Sequence, residues 1–263
     1  AQRRRARARS AAADDAELAR LRSRLRAHPC HGCAEREDHA RWAERWSRLT
    51  AEHNGLLRRI ESRTSSIARD FDRICDVLTG LGYLERRDDG TLDVTPEGRW
   101  LRRIYAERDL VLAECLRTGA WNDLEPAELA AACAGVLFEG RADEPSPAPD
   151  LRGGPQAPLA RALDATIALA DDLAAIERDN RLEPTGELDL ALVLPMLRWA
   201  KGGTLSTVLG GSDLAPGDFV RWARQVLDVL DQVALAAPQD AVRRRARQAR
   251  SLVRRGVVAH TAL

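Results

Sequence analysis

Lysine is almost missing from this chain. Of 41 basic side chains only Lys201 is a lysine, and it is followed by Gly202 and Gly203. No Gly-x-x-x-x-Gly-Lys-Ser/Thr loop therefore exists to cradle a nucleotide's phosphates. No Asp-Glu-x-His/Asp run is present to hold Mg²⁺ either. A self-sufficient ATPase is excluded on both counts. The Gly-x-Ser-x-Gly elbow and the His-Glu-x-x-His helix are also missing, which removes elbow-type hydrolases and zincin-type proteases. No run approaches the roughly 20 apolar residues that span a bilayer. The Arg-rich N-terminus is not followed by the apolar stretch of a secretory signal. Five cysteines are an odd number for a disulfide framework. A cytoplasmic protein with reduced thiols, and no membrane partner, is expected. Methionine occurs once while alanine is abundant, so the arginine bias reflects a GC-rich genome as much as function.

What is present is helical pattern. The 263 residues suffice for one or two domains. The net charge of +1 is neutral globally but not locally. Residues 1–28 carry nine Arg, and residues 241–255 carry seven Arg and no acid. Such ends suit anionic contacts, or merely solvated helix faces. Leu18, Leu21 and Leu25 mark a first helix, which His28-Pro29-Cys30-His31-Gly32-Cys33 breaks. Trp42, Trp46, Leu49, His53, Leu56 and Ile60 then alternate four and three residues apart. That spacing predicts a coiled-coil-like seam on one helix. Ile67, Phe71, Ile74, Leu78 and Leu81 repeat it after possible caps at Thr64 to Ser66.

The period then changes. Tyr83–Arg86 and Thr91–Val94 flank Arg87-Asp88-Asp89-Gly90, and Asp-Gly between two short β-prone runs predicts a hairpin. Thr95-Pro96 restarts a helix, with Thr as cap and Pro in the first turn. Helix, hairpin, helix is the ending of a winged-helix domain, although other folds share the order. Beyond it the spacing predicts helices over 96–118, 126–139, 159–181, 187–201, 216–236 and 239–258. The proline- and glycine-rich stretch 140–158 reads as a mobile loop. Phe219, Trp222, Val226, Val229 and Val233 form one stripe, and Val242, Ala246, Ala249 and Val253 another. The expected fold is mainly α: a helical arm over 1–62, a winged-helix-like segment over 63–105 and an α-helical bundle over 106–263.

Few residues invite chemistry. Cys30-x-x-Cys33 with His39 has the spacing of half a zinc site, and a second cysteine pair is missing. Cys30, Cys33 and His39 are weak metal candidates, and a compact turn is the plainer reading. Cys75, Cys115 and Cys133 sit singly in apolar stripes, as core residues do. A platform for unpaired bases needs an aromatic beside Arg. Trp199 near Lys201, and Trp222 beside Arg221, are the candidates, with core packing the alternative for each.

Longer motifs carry a resemblance. Arg99, Tyr105, Asp109-Leu110 and Glu114-Cys115-Leu116 precede Gly119-Ala120-Trp121-Asn122-Asp123-Leu124-Glu125-Pro126. Val136-Leu137-Phe138-Glu139, Arg198-Trp199-Ala200-Lys201-Gly202 and Gly217-Asp218-Phe219-Val220-Arg221-Trp222 follow in order. This series is similar to the DSHCT domain that ends superkiller-type DExH-box RNA helicases. The His28–Cys33 turn, Arg63–Ile74 and the ending Arg254–Ala259 resemble the actinobacterial, HelY-like branch, so the likeness covers about residues 20–263. Both RecA-like ATPase domains of that family are absent. Together with a start at Ala1 rather than Met, this leads us to expect a fragment.

The resemblance implies a bundle that roofs a channel for one strand. It also implies that residues 20–62 are the remains of an inserted arm's stalk. ATP and Mg²⁺ would belong to the parent's ATPase domains, and no cofactor is expected in this chain. The implied partners are single-stranded RNA or DNA and those ATPase domains. Arg221, Arg224 and Gln225 are the expected strand contacts on the helix opened by Gly217, joined by Trp199, Lys201, Arg243 and Arg247. Alternatively, Arg221 and Arg224 pair with Asp218 and Asp228 along the helix. A winged-helix DNA-binding regulator and a protein-interaction scaffold are the competing functions.

Overall fold

The computed structural model describes residues 2–140, 149, 151, 154, 156–212 and 214–260. Among them the chain is mainly α, with one two-stranded sheet. It divides into two compact units, at residues 1–68 and 69–263.

The first unit contains α1 (Gln2–Ala27), a 3-10 turn (Pro29–Gly32) and most of α2 (Arg36–Gly80). The turn forms because Pro29 fixes φ at its first position and the His28 ring accepts the Cys30 N–H at 3.2 Å. α2 runs 45 residues without a break. The new helix start expected from caps at Thr64 to Ser66 is therefore corrected. No proline or glycine lies between Gly55 and Gly80, and Ser or Thr inside a helix costs only tenths of a kcal/mol, about 0.5 against Ala. The seam is real and open: Trp42 is 65% and Trp46 70% exposed, with Leu49, Leu56 and Ile60 exposed beside them.

The second unit begins in the last turns of α2. Gly82, at φ 80°, turns the chain into β1 (Leu84–Arg86), which pairs antiparallel with β2 (Leu92–Val94). The hairpin falls where Asp89-Gly90 places it. α3 (Pro96–Leu101) follows, and the Thr95 hydroxyl caps it by accepting the Gly98 N–H at 3.1 Å. Gly98 is required at that point, since a Cβ would run into the Tyr83 carbonyl. Tyr83 is buried, and its hydroxyl donates to Glu114 at 2.5 Å. Arg117 Nε binds the same carboxylate at 2.9 Å. Burial and this hydrogen bond push the Tyr83 hydroxyl well above its usual range, so it stays protonated and donates.

The expected helix over 96–118 is in fact α3 and α4 (Asp109–Thr118), separated by seven residues (102–108). Tertiary contacts win over propensity there. Ile104 is buried in the core, and the Tyr105 N–H is taken by Gln232 Oε1 at 2.6 Å. α5 (Pro126–Leu137) is alanine-rich and buried nearly all round, as suits the central helix. α4, α6 (Pro158–Asp179), α7 (Val193–Ala200), α9 (Pro216–Ala236) and α10 (Asp240–Val253) pack around it. α8 (Leu205–Leu209) is a short addition that the spacing did not predict, and the helix expected over 239–258 breaks after Val253 and resumes as α11 (Gly256–Ala259). α7 starts at Val193, not at 187 as expected. The chain before it is held extended, with Thr185 N–H and hydroxyl on Glu177 and the Glu187 carbonyl on Arg108. The loop expected at 140–158 lies mostly outside the described residues.

Arginines close several helix ends. Arg108 donates to the carbonyls of Val136 (3.2 Å) and Phe138 (3.5 Å) at the end of α5. Arg255 reaches the Trp199 carbonyl and, at 2.7 Å, that of Gly203 past α7. Arg243 holds the Ala237 carbonyl (2.9 Å) and Arg103 that of Leu235 (3.3 Å) at the end of α9. Carbonyls at a helix end lack the amide four residues on, and a cation suits that end of the dipole.

Candidate nucleic-acid interface

α9 is two-sided because its apolar residues recur at helical spacing. Phe219, Trp222, Val226, Val229 and Val233 are buried, as the stripe predicts. The flank of that stripe borders a groove of about 580 Å³, to whose wall Trp222 and Val229 of the stripe also contribute. Arg221, Gln225, Asp228 and Gln232 line it from α9, Tyr105 and Glu107 from the 102–108 segment, and Leu137 and Glu139 from the end of α5.

Of the expected strand contacts, Arg221 and Gln225 line this groove. The Arg221 guanidinium lies 4.8 Å from the centre of the Trp222 ring and 3.8 Å from Asp218, so the alternative i, i+3 pair also forms. The Gln225 Oε1 is buried and has no hydrogen-bond partner among the described residues. Arg224 turns away to the His260 carbonyl at 2.5 Å. Lys201 is exposed at the end of α7. On α10, Arg243 is engaged by Ala237 and Asp240, while Arg247 is exposed, its guanidinium in no side-chain hydrogen bond or ion pair among the described residues. These cations do not converge on one groove.

Neither tryptophan offers a platform. Trp199 is 3% exposed; its indole N–H donates to Val253 O at 2.9 Å, and Arg255 and Phe219 cover its ring. Trp222 is buried edge-on to Phe138 at 5.2 Å. The exposed aromatic in the groove is Tyr105, at 81%. Sequence reasoning missed it by running one helix through residues 96–118. Its isolation from every apolar stripe was the available signal.

At the 3-10 turn, Cys33 Sγ lies 3.6 Å from His39 Nδ1, and His39 Nε2 lies 3.6 Å from Glu35. Cys30 is exposed. No group of three or more His, Cys, Asp or Glu among the described residues is arranged to hold a metal ion. No helix among them is long and apolar enough to cross a membrane.

Residues 91–261 match the DSHCT (NUC185) domain. The chain is 42% identical over 252 residues to a probable helicase HelY of Mycobacterium tuberculosis (strain ATCC 25618 / H37Rv), covering 93% of this chain and 28% of that protein. It is 42% identical over 252 residues to the probable helicase HelY of Mycobacterium leprae (strain TN), covering 93% and 27%. A chloroplastic DExH-box ATP-dependent RNA helicase of Arabidopsis thaliana is 26% identical over 190 residues, 72% of this chain and 16% of the relative. The chain thus spans little more than a quarter of the length of the first of these relatives.

Proposed function

The chain belongs to the DSHCT (NUC185) domain family, and on that premise we propose that it is the C-terminal accessory portion of a DExH-box RNA helicase, holding a single RNA or DNA strand against α9. The observation that carries the reading is the two-sided character of α9. Its buried side fixes the helix in the core, and its other side presents Arg221, Gln225 and Asp228 to an open groove. A rigid helix with polar groups at a groove suits a strand that must slide, because such contacts are weak and sequence-tolerant. Arg221 serves phosphate without reading bases. Its exposed pair with Asp218 is worth only about 0–1 kcal/mol, so phosphate displaces it at little cost. ATP and Mg²⁺ act in RecA-like ATPase domains outside this chain, and the chain's own share is to position the strand. The Arabidopsis relative is named an RNA helicase, which favours RNA.

Fluorescence anisotropy with labelled single-stranded RNA, single-stranded DNA and duplex, at two salt concentrations, tests this. Salt-sensitive binding that prefers single strands is expected. Arg221→Glu should weaken it by about tenfold at low salt, as expected for one charge-assisted contact, with an unchanged melting temperature. Equal affinity of variant and wild type would sink the role of α9. A preference for duplex DNA would favour the winged-helix regulator. A second reading, a protein-interaction scaffold, draws on the exposure of Trp42 and Trp46, and an absence of any strand binding would favour it.

A further inference from the structure

We propose that the groove beside α9 receives an unpaired nucleobase bearing an exocyclic amino group, stacked on Tyr105. This rests on the strand-holding reading above and goes further, naming which part of the strand enters. Three observations converge. Tyr105 stands 81% exposed at the groove, yet its backbone is anchored, with its N–H on Gln232 Oε1 at 2.6 Å and Ile104 buried next to it. A ring held in water on a fixed backbone is a preorganised stacking surface. Glu107 and Asp228 add carboxylates to the wall, beside a Glu139 paired with Arg108 at 3.6 Å, against one lining cation, Arg221. A wall of that balance repels phosphate, so the backbone stays at the rim near Arg221 and the base turns inward.

The chemistry of the acceptors sets the preference. Ionised carboxylates accept hydrogen bonds and donate none. Adenine, cytosine and guanine each present an amino group to such acceptors, while uracil presents carbonyl oxygens in its place. The volume of about 580 Å³ is that of a small-molecule site, typically roughly 300–1,000 Å³, and holds a base with room for its sugar.

The test uses the 263-residue chain and oligomers that differ by one group. Labelled oligo(adenosine) is compared with oligo(purine riboside), which lacks only the 6-amino group, and with an abasic strand of equal length. The expected order of affinity is adenosine, then purine riboside, then abasic. Tyr105→Ala should lose about tenfold on both base-bearing strands, the scale of one base–aromatic stack, and leave the abasic strand unchanged. Tyr105→Phe should keep wild-type affinity. Glu107→Ala with Asp228→Ala should bind every strand as well or better, having lost two negative charges, while the adenosine preference disappears. Circular dichroism on each variant guards against misfolding. Equal binding of adenosine and purine riboside overturns the amino-group preference. If Tyr105→Ala binds as wild type while Arg221→Glu is weakened, the strand-holding role stands and the base pocket is wrong. If no strand binds at all, both fall together.

Discussion

At the scale of single residues, the second unit depends on a few buried polar groups. Glu114 is the clearest, since it lies inside α4 and its carboxylate is shared by Tyr83 and Arg117. Tyr83 belongs to the hairpin segment, so this hydrogen bond fastens hairpin to bundle. Tyr83→Phe keeps the ring and removes the donor. We expect a loss of about 1–3 kcal/mol, the cost of leaving a buried acceptor short of a partner, read by urea denaturation. Unchanged stability would mean that Arg117 satisfies the carboxylate alone. Residue-level reading from the sequence had a specific weakness. Arg221 and Gln225 were legible because a stripe at helical spacing tells which side of α9 is left over. Trp199 was chosen for its nearness to Lys201, and a tryptophan near a cation reads the same whether its ring faces inward or outward. Here Arg255 comes from 56 residues further along to cover the ring, which no local pattern records.

At the scale of elements, periodicity served where a helix is held by its own amphipathic face, as in α9 and α10. It failed where another element claims the backbone. The break between α3 and α4 exists because Gln232 takes the Tyr105 N–H, and the late start of α7 because Glu177 and Arg108 take groups before it. The hairpin was legible because Asp89-Gly90 carries its own turn chemistry. α2 presents a different case, with an apolar seam that its own unit does not cover. Trp42→Ala and Trp46→Ala should therefore leave the thermal unfolding of the chain within about 0.5 kcal/mol of wild type, as for other exposed substitutions. A larger drop would show that the seam is already buried in solution. Loss of tryptophan emission near 350 nm in the same variants would report that the two indoles were in water.

For the molecule as a whole, neutrality hides a division of labour. The acidic groove and the exposed cations of α10 are separate surfaces. The chain also has no nucleotide-binding loop, so it should release no phosphate from ATP above background, with or without RNA, in a coupled phosphate assay. RNA-stimulated turnover by a clean preparation would contradict that.

The arginines at the helix ends bear on how this sequence can drift. Arg108, Arg243 and Arg255 spend their forked donors on backbone carbonyls inside the molecule. A lysine has the same charge but a single nitrogen, and it cannot reach at once the Val136 and Phe138 carbonyls, held by Nη1 of Arg108, and that of Glu187, held by Nη2. On a map of electrostatic potential the exchange is silent. In the fold it leaves a carbonyl bare. Near-total use of arginine is at these positions a commitment that an exchange to lysine cannot undo one site at a time.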